Sequence, residues 1–501
     1  MTPIVTLPPR PKATPQRYRV VTTLGLAAML SACTVGPDYQ PPQAELPKRW
    51  KAADNPEYGL KPIKANRLDH WWHHFHDPVL NRLVEQAQIG NPDLRIAFSR
   101  IEQARAERRA QRAELFPRVT GVAVPANTHN LLPTPGQSAG LPHSSASLNY
   151  FLAGFDALWE IDLFGRLRRK LEAATATTES AVEDQREAWL MVCSEMARLY
   201  TDYRQTQAQA RLTRDMLANR RQSLTLTRQL HDAGLQTRDA VDRALAETEN
   251  TEALLPSLDS HRLALQHRME TLAGQQPGGL EHVLEPAGDI PDSTERALLT
   301  TPAETLRNRP DLRSAERNLA AATAQQGAAF AELFPKISIA AFVGFHNSDL
   351  ENLFRSAAFS WASGSAILQP IFNFGRIRAG IDLADARQQE ALLNYEKTLL
   401  EALRETETAL TEYLKSLQQR QFVTDSTAAL RHALQMTRAR HQQGLSTRLD
   451  VLAAERALQA EMLALTQSRA HVTTRLIALY KALGGTRRPE QPGDDPLRPW
   501  G

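Results

Sequence analysis

Residues 392–417 read LLNYEKTLLEALRETETALTEYLKSL, inside a run, residues 376–443, that holds no proline and a single glycine, Gly380. As one helix these about 68 residues reach roughly 100 Å at about 1.5 Å per residue, a length few compact domains contain. The apolar residues fall on two adjacent stripes: Leu392, Tyr395, Leu399, Ala402, Ala409 and Tyr413 on one, and Leu393, Leu400, Leu403, Leu410, Leu414 and Leu417 on the next. Steps of three, four and seven are those of helix packing on helix. A two-stranded coiled coil needs one seam, whereas two seams let each helix touch a neighbour on either side, as staves do in a barrel. The remaining surface, with Glu396, Lys397, Glu401, Arg404 and Lys415, is polar and can face water.

Working outward, the same element occurs twice. Residues 166–233 form an equally long run with neither proline nor glycine. Asp162-Leu163-Phe164-Gly165-Arg166 precedes it, and Gly234-Leu235-Gln236-Thr237-Arg238 closes it 210 positions before Gly444-Leu445-Ser446-Thr447-Arg448. Upstream, Pro92-Asp93-Leu94-Arg95 and Ala113-Glu114-Leu115-Phe116-Pro117 recur 218 positions later as Pro310-Asp311-Leu312-Arg313 and Ala331-Glu332-Leu333-Phe334-Pro335. Each half therefore reads helix, two strands, long helix, tight turn, helix.

The start of the chain has another character. Residues 1–32 carry Arg10, Lys12, Arg17 and Arg19, no acid, and an apolar run at 20–30 that is too short to cross a bilayer but suits a secretory signal. Leu30-Ser31-Ala32-Cys33 resembles the bacterial lipoprotein processing box. That resemblance implies cleavage before Cys33, thioether lipidation of its sulfur and acylation of its new amino group, with Thr34 in second place directing the product to the outer membrane. Removing the signal takes the formal charge from +3 to −1, a balance that does not suggest nucleic-acid binding. Cys193 is then left without a disulfide partner, inside the first long helix among Leu190, Val192 and Met196. Residues 33–66, rich in proline and polar groups, read as an extended, lipidated tether. After it come Trp71-Trp72, Phe75, Asp77-Pro78 and a short amphipathic helix through Leu80, Leu83, Val84 and Ala87. His70 and His74 can share a helical face as metal ligands, or belong to a polar helix start with aromatic anchors; no HExxH or Cys pattern accompanies them.

Helical periodicity stops between Pro117 and Leu163 and again between Pro335 and Phe372. Candidate strands are 118–124, 147–160, 336–345 and 359–371. Phe151, Phe155 and Trp159 share one face of the second, Phe359 and Trp361 one face of the fourth, as suits lipid contact. Transmembrane barrels need about eight strands merely to close, so a chain with four must pool its hairpins with other copies.

The motifs Cys33-Thr34-Val35-Gly36-Pro37-Asp38-Tyr39, Trp71-Trp72 with Asp77-Pro78, Asn91-Pro92-Asp93-Leu94, Asp162-Leu163-Phe164-Gly165-Arg166 and Arg309-Pro310-Asp311-Leu312-Arg313 resemble the TolC-like outer-membrane factors. The nearest branch is the NodT-type lipoproteins of resistance-nodulation-division efflux systems. The resemblance covers nearly the whole mature chain. It implies a mainly α fold with a membrane β-barrel portion: a homotrimer whose duplicated long-helix hairpins form a periplasmic α-barrel topped by a twelve-stranded β-barrel, with an equatorial belt. It also implies partners, a periplasmic adaptor (membrane fusion protein) and an inner-membrane resistance-nodulation-division transporter, and outer-membrane lipid around the barrel. The expected division is a signal at 1–32, the lipidated tether at 33–66, a first repeat at 67–274, an inter-repeat segment at 275–301, a second repeat at 302–485 and a tail at 486–501.

In the family the two helix turns form the closed periplasmic mouth and meet the adaptor. Here they comprise Gly234, Leu235, Thr237, Arg238 and Asp239, and Gly444, Leu445, Thr447, Arg448 and Asp450. Asp450 matches an acid of the constriction; its counterpart by offset is Ala240, with Asp239 one place earlier. A ring of Asp450 carboxylates held by Arg448 or Arg238 of neighbouring turns is one reading, and ordinary capping of helix ends is the other. The sequence has no GxxxxGK[ST], CxxC or GxSxG, hence no recognisable catalytic site and no cofactor beyond lipid on Cys33. The function expected is a passive outer-membrane duct for small toxic compounds or drugs. The alternatives are a duct for type I protein secretion and a periplasmic adaptor lipoprotein.

Overall fold

The computed structural model of the protein describes residues 5–6, 34–54, 68, 70–129, 147–292 and 299–485. Cys33, the tail at 486–501 and all of the expected signal but residues 5–6 lie outside the described residues.

In the first half, α1 (Pro78–Gly90) and α2 (Pro92–Ala113) lead to β1 (Arg118–His129) and β2 (Ser147–Ile161), then to α3 (Arg166–Asp232) and α4 (Arg238–Leu272). One short helix, α5 (Glu281–Leu284), lies between the halves, and another, α6 (Pro302–Asn308), opens the second. The second half runs α7 (Pro310–Ala331), β3 (Lys336–Asn347), β4 (Phe359–Leu368), α8 (Arg376–Gln442) and α9 (Arg448–Ala482). The staves α3 and α8 have 67 residues each, and α4 and α9 have 35 each.

Glycine starts and stops the staves. Gly165 and Gly375 precede them at φ 83° and 81°, and Gly234 and Gly444 follow at φ 72° and 76°. At the far end Gly234 N–H donates to the His231 carbonyl and Leu235 N–H to that of Leu230, both 2.8 Å; Gly444 to His441 and Leu445 to Arg440 repeat the pair at 2.9 Å. These bonds satisfy the last carbonyls of the helix and require the left-handed backbone that glycine takes without strain.

The four strands form one antiparallel sheet in the order β1-β2-β3-β4. Their ends differ from the sequence expectation. β1 continues past residue 124 to His129, and β4 stops at Leu368 instead of 371. Pro125 lies within β1 opposite Phe151 and, having no N–H, forgoes one ladder bond on the side its nitrogen faces. β2 and β3 are longer than expected by one and two residues.

Midway along the staves both hairpins, α1 and the inter-repeat segment meet in one core that includes Trp71, Phe75, Tyr200, Met269, Leu280, Leu410 and Tyr480. All six residues of the first α8 stripe are buried, and Leu410 and Leu414 of the second are too. Leu393 and Leu400 remain 54% and 48% exposed within one chain, a surface left for a neighbour.

The tether is docked from its first described residue. Val35 N–H donates to the Phe164 carbonyl at 3.1 Å, Thr34 lies on Gly165, and Gly36, at φ 96°, lies on Gly327 of α7. Buried Arg169 donates to Asp38 Oδ1 at 2.6 Å, and the Tyr39 hydroxyl donates to Glu316 at 3.1 Å.

Candidate functional site

Two ends of the molecule carry chemistry. At the sheet end, residues directly opposite one another share a face, and the register builds the rows Gly121, Phe155, Val343, Trp361 and Ile161, Ile337, Ile367. Trp159 pairs with Ile339 on the same face. Phe155, Val343 and Trp361 are 60%, 45% and 72% exposed, which water does not reward in side chains of this size. The other face carries Arg118, Thr120, Asp156, Glu160, Lys336, Ser338 and Ser360. That face also carries Leu152, Leu158, Phe342 and Leu368, but all the charged side chains of the sheet stand on it, and a face without charge backed by one with charge suits a barrel wall between lipid and water. β2 spans 15 residues, which at about 3.3 Å each and a tilt near 40° is roughly 38 Å, enough to pass an apolar band of about 25 Å. Among the described residues no helix is long and apolar enough to cross a membrane.

At the opposite end, the two turns present Leu235 and Leu445, 71% and 65% exposed. Thr237 caps α4 by accepting from Ala240 N–H at 3.3 Å, and Thr447 caps α9 by accepting from Asp450 N–H at 3.2 Å. Asp450 answers with a carboxylate oxygen 2.7 Å from both the Thr447 hydroxyl and its N–H, a reciprocal capping box. Those donated bonds, the hydroxyl's first, hold the exposed Asp450 carboxyl below the usual carboxylate range. Within one chain neither candidate arginine reaches it. Arg238 pairs with Asp242 at 3.1 Å, Asp239 pairs with Arg243, and Arg448 donates to Gln222 of α3 at 3.1 Å. The Gln222 bond ties the second turn to the end of the first stave, as do Asn219 to Glu455 at 2.9 Å and Arg456 to Ser223 at 3.3 Å.

Sequence reasoning missed two histidines in these turns. The Nδ1 of His231 lies 2.9 Å from the Gln236 carbonyl, and that of His441 lies 2.8 Å from the Ser446 carbonyl. A carbonyl only accepts, so Nδ1 carries the proton in both. Their recurrence 210 positions apart was the signal. It missed Arg204 as well: fully buried, this guanidinium donates to the Tyr200 hydroxyl and to the carbonyls of Leu284 and Pro286, pinning the inter-repeat segment to α3.

His70 and His74 do not converge with other ligands. Among the described residues no group of three or more His, Cys, Asp or Glu is placed to hold a metal. His70 instead meets Trp72 edge-on, ring centroids 5.2 Å apart. Cys193 is buried, and burial pushes its thiol well up, away from the reactive thiolate.

With this geometry in view, comparison with known proteins is informative. The family model described as outer membrane efflux protein matches residues 83–275 and 301–485. The toluene efflux pump outer membrane protein TtgI of Pseudomonas putida is 32% identical over 469 residues, 91% of this chain and 96% of its own. The cation efflux system protein CusC of Escherichia coli is 30% identical over 465 residues, 92% of this chain and 98% of its own. The solved outer-membrane channel OprN superimposes with a TM-score of 0.81 at 35% identity, covering 90% of this chain and 99% of that one.

Proposed function

The chain belongs to the outer membrane efflux protein family, and from that premise we propose how its parts divide the work of a duct. The protein is the outer-membrane channel component of a tripartite efflux system of the resistance-nodulation-division type. It acts as a homotrimer with an adaptor and a transporter, and it is not an enzyme. Three sheets close a barrel in the outer membrane, and three pairs of hairpins close a helical tube across the periplasm. The observation that carries this reading is the sheet with one exposed apolar face standing on two glycine-ended hairpins.

Three finer assignments extend it. Cys33 carries the lipid: residue 34 already rests on Gly165 at the foot of the sheet, so acyl chains one residue earlier enter the bilayer beside the barrel. The turns around Gly234 and Gly444 form the mouth and the adaptor-docking surface, with Leu235 and Leu445 as exposed apolar contacts and Asp450 as the acid of the closed ring. The cargo is small toxic compounds or drugs. Relatives named for toluene and for cations share this architecture, which supports a polar duct that leaves choice of cargo to the transporter.

Outer-membrane fractionation, heat-modifiable trimer migration and conductance in planar bilayers test the duct. Expected are heat-labile trimers that conduct; a soluble, non-conducting monomer overturns the reading. Deleting the gene and scanning drugs, solvents, metals and aromatic acids for increased sensitivity tests the cargo class.

A further inference from the structure

The two repeats treat one helix face in opposite ways. In the second repeat, Gly327 of α7 accepts Gly36 of the tether so closely that a Cβ on Gly36 would stand 2.6 Å from the Gly327 Cα. The 218-residue offset puts Arg109 of α2 at the position of Gly327, Arg105 at that of Thr323 and Arg112 at that of Phe330. Among the described residues no tether segment covers this face of α2, and Arg109 and Arg112 are exposed. At about 100° per residue, Arg105, Arg109 and Arg112 fall within about 60° of one another, while Glu107 and Glu114 fall on roughly the opposite side. Arg105 is engaged by Glu102 at 2.6 Å, but among the described residues no carboxylate pairs with Arg109 or Arg112. The face is also at a particular height. Arg112 and Arg109 lie about 9 and 14 Å before the first strand residue at helical rise, within reach of a headgroup layer by snorkelling. The apolar sheet face runs onto the same spot: Trp159 donates its indole N–H to the Leu115 carbonyl at 3.0 Å, and Phe116 is exposed beside it. An exposed aromatic belt with cations one turn beneath it is the arrangement that meets phosphate at a bilayer surface.

We propose that Arg109 and Arg112, backed by Arg105, form a binding surface for anionic glycerophospholipid headgroups of the leaflet facing the periplasm, one per protomer. The surface rests on the reading that the sheet inserts in the membrane. Arg376 and Arg378, in the first turn of α8, are exposed as well and add to the positive charge at the foot of the sheet.

The test uses the mature trimer in nanodiscs of phosphatidylethanolamine with a minor share of phosphatidylglycerol, followed by lipid quantitation of the annulus after mild detergent stripping. Wild type is expected to retain phosphatidylglycerol about threefold or more above its bulk share. Arg109→Glu with Arg112→Glu is expected to lose that excess, and Arg431→Glu, an exposed position on α8 outside this surface, to keep it. Should the double reversal fail to assemble, Arg109→Gln with Arg112→Gln is read in its place and is expected to lose most of the excess. Trimers that conduct in planar bilayers but hold phosphatidylglycerol at bulk share in wild type overturn the proposal and leave the duct intact. Equal loss in Arg431→Glu overturns it also, because the excess then follows overall charge. A wild-type chain that enters no bilayer removes the membrane reading beneath it.

Discussion

The carboxylate of Asp450 accepts both the hydroxyl and the N–H of Thr447, so in one chain it is a capping group first, and any role in a ring is added to that. The two roles separate by substitution. If the charge closes the mouth, Asp450→Ala raises resting conductance in planar bilayers while Thr447→Ala, which spoils the cap and keeps the carboxylate, does not; equal effects in both would assign Asp450 to capping alone. Because the folded carboxyl titrates below its unfolded range, the cap is fully present at neutral pH and is lost as pH falls through that lowered value. Acidification of the wild type should therefore mimic Asp450→Ala, with no change between pH 6 and 8. Arg204 offers a second test. Replacing it with Met leaves the Leu284 and Pro286 carbonyls without their donor and should cost on the order of 3 kcal/mol, seen as earlier proteolysis at 285–292 and a lower melting midpoint. Two of the partners of Arg204 are backbone carbonyls about eighty residues away, which have no signature in sequence.

Elements were the most legible scale. A run of 67 residues with no proline and at most one glycine dictates a stave, and glycine with positive φ dictates where it stops. A Cβ built on Gly444 meets nothing within 4 Å, so the cost of substitution there is backbone strain alone, about 1–2 kcal/mol for Gly444→Val and less for Gly444→Asn. Comparison of melting midpoints checks the order. Strand ends were less legible, because proline is a frequent strand breaker and yet Pro125 lies inside β1, opposite Phe151, a matter of register. The two faces of the sheet predict opposite tolerance. Val343→Lys places a charge in lipid at a cost of about 2–4 kcal/mol and should abolish heat-resistant trimers, whereas Ala340→Lys on the polar face should assemble and alter conductance.

At the scale of the whole molecule the chain is incomplete alone. Leu393 and Leu400 continue a packed stripe yet stay half exposed, and among the described residues the β1 and β4 edges of the sheet have no partner strand. Leu393→Asp with Leu400→Asp should leave the long hairpins helical by circular dichroism while moving the sedimenting species from trimer toward monomer; an unchanged trimer would place the protomer seam elsewhere. The duplication and the need for several copies were readable from periodicity and strand count. The docking of the tether was not: its prolines suggest only extension, and its site is composed of single glycines, Gly165 and Gly327, from distant parts of the chain.

The sealed position of Cys193 keeps that thiol silent toward maleimides in the native protein. With a thioether at Cys33, thiol counting should give none before unfolding and one after it; two would mean that no lipid is attached there. The same silence leaves a cysteine introduced at Leu235 or Leu445 as the sole reporter for spin labels or fluorophores, so the spread of the three tips could be followed in the otherwise unaltered protein.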